Sequence, residues 1–136
     1  PEDAAAPRPK EPVGYRISLA RRPGRRLLDR LLFDPDARVV RTMLGNPRLT
    51  EADVVKLAAS RRAGREVLET IAQDDRWIVR YAVKVALANN PTTPARLVLG
   101  LLPYLLHQDL QALAAGSPRQ AVREQATILL SRRRQA

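Results

Sequence analysis

The chain carries the sequence RRPGRRLLDRLLFD at residues 21–34 and returns to it about forty residues on, as RRAGREVLETIAQD at residues 61–74. Arginine, glycine, leucine and aspartate recur at matching positions, and Phe33 is the one large apolar residue that becomes polar in the second copy. Each copy is followed by a short acidic turn, and then by two apolar residues and an arginine, at 39–41 and 78–80. A repeat of this length is typical of stacked helical units.

The composition indicates one domain with an aliphatic core. The chain has 136 residues, of which 45% are apolar but only 4% aromatic, so leucine, valine and alanine must fill the core. Cysteine is absent, which excludes disulfide scaffolds and thiolate metal sites. No apolar run reaches the roughly 20 residues of a membrane helix. The N-terminal residues lack the apolar segment of a signal peptide, and we expect a cytoplasmic protein.

The charge is strongly basic. Lysine and arginine number 24 against 14 acidic residues, which gives a net charge of +10. Such an excess favours attraction to anions such as nucleic acid, acidic proteins or lipid headgroups. A charged, solvated surface with no anionic partner is the alternative interpretation.

The N-terminal residues differ from the rest. Residues 1–13 are rich in proline and charge and cannot bury apolar area, which is typical of an extended or disordered arm. Tyr15, Ile17 and Leu19 alternate with polar residues, and this period of two predicts an extended lead-in over 14–20. We therefore expect an arm at 1–20 and a helical repeat domain at 21–136.

The first copy predicts three helices. Pro23 suits the first turn of the first helix. Asp34 or Asp36 can cap the second helix, which Asn46 and the proline after it end. Thr50 begins the third with a capping box.

The second copy follows the same plan. Asp74 or Asp75 caps a helix that Asn90 and the next proline end, and Thr93 caps the third. A partial copy follows, with a helix over 104–115 and a last, arginine-ended helix.

These patterns predict an all-α, right-handed α-solenoid of two three-helix repeats of about 40 residues plus a partial capping repeat. In such a stack the equivalent apolar positions face neighbouring layers. We expect Leu28, Val40, Leu68 and Val79 to be buried.

The turn DPDARVVR at 34–41 resembles the start of the second helix of a HEAT repeat. The asparagine-proline pairs at 46–47 and 90–91 resemble those of leucine-rich repeat variant proteins, and three helices per forty residues resemble the armadillo arrangement. The resemblance implies a protein-binding scaffold. Some HEAT-like proteins bind nucleic acid, including a DNA glycosylase branch.

The repeated arginines are the candidate anion-binding or partner-binding residues. Spacing of i,i+4 places Arg21 with Arg25, and Arg61 with Arg65, on one face if each helix includes both residues. The full set is Arg21, Arg22, Arg25, Arg61, Arg62 and Arg65. Stacked repeats would align them as a basic stripe for phosphates or acidic side chains. Salt bridges within the repeat, to Asp29, Glu66 and Glu69, are the alternative.

Trp77 and His107 are two further residues whose side chains could serve a function. Trp77 is either a core residue or an exposed platform on which a base stacks. His107 is the only histidine, and a lone histidine without cysteine cannot build a zinc site.

We find no nucleophile with a matching base and no phosphate loop, so we expect no catalytic residue, no metal, no cofactor and no enzymatic activity. The leading prediction is a helical-repeat module that binds a protein partner. Binding of nucleic acid through the arginine stripe is the alternative, and the oligomeric state stays open.

Overall fold

The computed structural model describes residues 10–22 and 24–135, and every regular element in these ranges is a helix. The predicted all-α class is therefore confirmed. The helices are α1 Val13–Ala20, α2 Arg25–Leu31, α3 Ala37–Leu44, α4 Glu51–Ala59, α5 Arg65–Ala72, α6 Asp75–Ile78, α7 Tyr81–Asn89, α8 Ala95–Leu101, a short 3₁₀ helix Leu102–Tyr104, α9 His107–Gly116 and α10 Gln120–Gln135. None of these helices is both long enough and apolar enough to cross a membrane.

The extended lead-in predicted over 14–20 is wrong, because α1 is a helix that packs on α3. Its buried residues are Arg16, Leu19 and Ala20, which follow helical spacing. Arg16 occupies a core-facing position because its guanidinium binds the buried carboxylate of Asp34, with Nε 2.8 Å from Oδ2. Because the charged Arg16 lies on the buried face of α1, the apolar residues of this segment alone do not show helical spacing. Within the described residues, a helix is thus already present before residue 21. Residues 1–9 of the predicted arm, and the predicted role of Pro23, lie outside the described residues.

The first half of each sequence copy is equivalent in structure. Gly24 and Gly64 are the N-caps of α2 and α5. Leu28 and Leu68, which lie in the first turn of these helices, are fully buried, as predicted.

The second half of the copies is not in the predicted register. Val40 is fully buried in α3, but Val79 is 68% exposed, so its predicted burial is wrong. The reason is α6, a single helical turn that stands between α5 and α7. It shifts the following helix along the sequence, and Val83 and Leu87 of α7 take the buried positions instead.

The helices pack mainly on near neighbours in chain order. Helix α3 lies between α1 and α5, α4 packs on α7, and α10 covers α9 and α8. One apolar cluster runs from Leu19 to Leu87 with Leu101, and a second runs from Ala88 to Ala126.

The helix starts follow the predicted capping in part. Asp36 caps α3 and Asp74 caps α6, each accepting a backbone N–H two residues on. Thr50 and Asp53 form the complete capping box of α4. Thr93 was wrongly predicted as a cap: Pro94 is the N-cap of α8, and the buried Thr93 hydroxyl has no hydrogen-bond partner among the described residues.

Candidate anion-binding site

The candidate arginines lie on turns between helices. Arg21 is the C-cap of α1, and Arg25 is the first residue of α2. Arg61 likewise follows α4, and Arg65 opens α5. The condition for a shared helix face, that one helix includes both arginines of a pair, is therefore not met, because each pair spans a helix break.

An asparagine joins the first two turns. The Asn46 side-chain amide donates to the carbonyls of Ala20 and Arg22, both at 2.8 Å, and its Oδ1 accepts the N–H of Arg48. The turn after α3 is thereby held against the turn after α1. Arg48, which the sequence did not single out, joins Arg21 in this cluster.

A second asparagine repeats the arrangement. Asn90 donates to the carbonyls of Ala58 and Ser60 at 2.7 and 2.8 Å, and accepts the N–H of Thr92. The turn after α7 is thus held against the turn after α4. The guanidinium of Arg119 donates to the Pro91 carbonyl and adds the turn after α9 to this group.

Four of these five turns carry arginine, and none of the five carries an acidic residue. They span residues 20–24, 45–50, 60–64, 90–94 and 117–119, and their arginines are Arg21, Arg22, Arg48, Arg61, Arg62 and Arg119. We call these six residues the turn arginines. In the described part of the chain, no carboxylate lies within ion-pair distance of any of them. The first five are exposed. A positive charge at a helix C-terminus is favourable, because the helix dipole is negative there.

Arg25 differs from its counterpart Arg65. Its guanidinium binds Asp29 at 2.7 Å and reaches Asp53 at the start of α4. The hydrogen bonds from Arg25 lower the pKa of Asp53 from 3.8 to about 2. Arg25 is therefore occupied by internal acids, as the alternative interpretation predicted. Arg65 is exposed, and no ion pair involves it within the ranges that the structure describes.

The other predicted internal acids behave differently from Asp29. Glu69 pairs with Arg96 of α8 at 2.5 Å and not with Arg65. Within the described ranges, the Glu66 carboxylate has no ion-pair partner. In the described residues, Arg65 is thus left without acidic partners, whereas Arg25 has two.

Trp77 is a core residue. It is 1% exposed, and its indole N–H donates to the Leu44 carbonyl at 2.7 Å. The guanidinium carbons of Arg76 and Arg80 lie 4.4 and 5.1 Å from the centre of its ring. The structure therefore agrees with the interpretation of Trp77 as a core residue. Its ring does not offer an exposed face on which a base could stack.

A cavity of about 480 Å³ lies within the second group of turns. Arg61 and Arg119 contribute its charged lining, and Pro91 and Ser117 belong to the turns beside them. The apolar lining comes from four helices: Ala88 of α7, Val98 of α8, Ala112 and Leu113 of α9, and Val122 of α10. The sequence pattern missed Arg119, because its copy of the turn lacks the paired arginines.

Nothing in the described residues resembles a metal centre. No group of three or more histidine, cysteine, aspartate or glutamate side chains there could hold an ion. His107 is exposed at the first position of α9. Comparisons with protein-family models, with curated proteins and with solved structures found no match to this chain.

Proposed function

We propose that this chain is a non-enzymatic helical-repeat module that binds an acidic segment of a protein partner through its turn arginines. The module is a right-handed α-solenoid of the HEAT-like and armadillo type, with two three-helix repeats and a partial capping repeat.

Helix packing supports the solenoid part of the proposal. The main packed pairs join helices that are close in chain order, as expected when each unit contacts only its neighbours. Asn46 and Asn90 make the same set of bonds in the two copies, each to two carbonyls at the end of an earlier helix. Equivalent anchors are expected when one unit recurs along a stack.

The unpaired turn arginines carry the functional proposal. A guanidinium binds a carboxylate through two parallel hydrogen bonds, and Arg25 already does so inside the protein. Arg21, Arg22, Arg61 and Arg62 are exposed and have no such acid in the described part of the chain. They are therefore available to the carboxylates of another molecule.

Nucleic acid is the second candidate, because the same guanidinium groups can bind phosphates. The net charge of +10 favours it. A protein partner is preferred for two reasons. The single tryptophan is buried and offers no stacking surface, and the cavity beside Arg61 has an aliphatic wall that a phosphate backbone would not use.

The test measures binding of two labelled probes by fluorescence anisotropy: polyglutamate and a duplex DNA. We expect the triple change R22Q, R61Q and R62Q to weaken polyglutamate binding strongly. The matched control is R132Q, R133Q and R134Q, which removes the same charge from the exposed end of α10. Equal losses in the two triple variants would show that only net charge matters and would contradict the proposal.

The salt dependence of binding distinguishes an acidic protein partner from nucleic acid. A duplex phosphate binder loses affinity steeply between about 50 and 200 mM salt, with a log–log slope near −0.9 for each contacted phosphate. Tight, steeply salt-dependent DNA binding together with weak polyglutamate binding would favour the nucleic-acid function instead.

A further inference from the structure

The cavity in the second group of turns combines charge with an aliphatic wall. Its volume of about 480 Å³ lies within the range of ligand sites in proteins. The turns after α4, α7 and α9 surround it, and the Asn90 and Arg119 hydrogen bonds hold these turns together. The cavity is therefore built by the same contacts that position the turn arginines.

Among the described residues, two arginines and no acidic residue line this cavity. Arg61 is exposed on the turn after α4. One terminal nitrogen of Arg119 donates to the Pro91 carbonyl, but the other is enclosed and has no acceptor among the described residues. A buried donor without a partner is costly, and more so when it is charged. An anion seated beside this guanidinium would offer its N–H groups a charged acceptor.

The rest of the lining is aliphatic. Val98, Leu113 and Val122 face the cavity from three different helices. A ligand that fits both parts carries an anionic group next to an apolar group. An acidic peptide with aliphatic neighbours has this chemistry, whereas a nucleic-acid backbone is charged along its whole length.

We infer that this cavity is the specificity pocket of the module: it takes an acidic side chain of the partner, flanked by an aliphatic residue, between Arg61 and Arg119. The inference rests on the proposed function and names the part of the partner that the module recognises. It also predicts different contributions of Arg61 and Arg62 to binding, since both are exposed on one turn but only Arg61 lines the cavity.

The experiment uses a fluorescein-labelled peptide of alternating leucine and glutamate, and its counterpart with glutamine in place of glutamate. Anisotropy measures the binding of each to the wild type and to R61Q and R62Q. We expect R61Q to weaken the binding of the acidic peptide by about tenfold or more, because a charge-assisted hydrogen bond is lost. R62Q removes the same charge from the same turn and should change affinity by about twofold or less.

A second pair of variants tests the cavity without changing charge. Ala112 and Ala115 are both exposed on α9, but only Ala112 lines the cavity. A112F should therefore reduce binding and A115F should not. Circular dichroism checks folding, and if A112F fails to fold, the comparison of R61Q with R62Q decides alone.

The outcomes separate the pocket from the general function. Equal effects of R61Q and R62Q, or equal affinity for the glutamate and glutamine peptides, would overturn the pocket. Binding of polyglutamate that still depends on the turn arginines would leave the proposed function standing. A wild-type protein that binds neither polyglutamate nor the alternating peptide at about 50 mM salt would overturn both.

Discussion

Arg25 and Asp53, which are 28 residues apart, join α2 to the start of α4 through two hydrogen bonds of 2.8 and 2.5 Å. The same carboxylate accepts the backbone N–H of Thr50 and so completes the capping box. One acid therefore fixes both the start of a helix and its contact with another helix. Arg25 is thus a structural residue, although its sequence position is equivalent to that of the exposed Arg65.

The Asp53 carboxylate predicts a pH dependence of stability. Its pKa is lower in the folded chain than in the unfolded one, so the ionised form stabilises the fold. This contribution is complete above the unfolded pKa of about 3.8 and is lost as the pH falls through about 2. The shift corresponds to about 2 kcal/mol. We therefore compare D53N with the wild type by urea denaturation between about pH 5 and pH 2, an interval that contains both pKa values. Over this interval, the free energy of unfolding should fall less for D53N than for the wild type.

Asp36 serves as the control for this measurement. The hydrogen bond from Arg38 also lowers its pKa to about 2, and this group is unchanged in D53N. The difference between the two proteins therefore isolates Asp53. Parallel pH profiles for D53N and the wild type would show that the Arg25 contact adds no stability.

The two equivalent arginines should differ when each is replaced. R25Q leaves the largely buried Asp53 carboxylate without its main partner, so we expect a clearly lower melting temperature. R65Q removes an exposed side chain that has no ion pair in the described part of the chain, and should leave the melting temperature nearly unchanged. A similar loss in both variants would mean that the first turn of α5 depends on its arginine as α2 does.

The two asparagine anchors should be important for stability. N46A or N90A removes a buried side chain that makes three hydrogen bonds to the main chain, and each should cost about 2 to 3 kcal/mol of unfolding free energy. Asn89 is the matched control, because it is exposed next to Asn90 and its side chain, within the part of the chain that the structure describes, bonds only the Val85 carbonyl of its own helix. N89A should have a small effect, and an N90A protein as stable as N89A would rule out the anchor.

The register shift in the second copy can be tested by two valine truncations. V40A creates a cavity in a fully buried position and should cost about 2 kcal/mol. V79A alters a side chain that is 68% exposed and should change stability by less than about 0.5 kcal/mol. Chemical denaturation measures both. Comparable losses would show that the triplets at 39–41 and 78–80 are structurally equivalent after all.

Trp77 provides an internal probe, because it is the only tryptophan. Its burial predicts blue-shifted emission in the native protein, slow quenching by acrylamide and a red shift on unfolding. W77F should cost about 2 kcal/mol or more, because it removes the indole hydrogen bond and leaves a gap. Rapid acrylamide quenching in the folded protein would indicate an exposed ring and would revive its role in stacking.

Local features of the sequence predicted the helical class and several helix ends. The apolar spacing in 21–34 and 61–74, the Asn46 and Asn90 stops and the Thr50 capping box all depend on residues within a few positions of one another. Such local patterns favour a helix or a helix end without contacts from distant parts of the chain. They can therefore be identified without knowing what packs against each helix.

The sequence by itself determined the forty-residue period, the all-α class and the excess of arginine. Only the tertiary structure decided which arginines have an acidic partner, because Arg25 meets Asp53 from 28 residues away whereas Arg65 pairs with no acid among the described residues. It also revealed that Arg16 is buried against Asp34, that α6 shifts the register of Val79, and that Arg61 and Arg119 share a cavity. The physical reason is that pairing, burial and cavity formation depend on contacts between residues far apart in the chain, which no local spacing encodes.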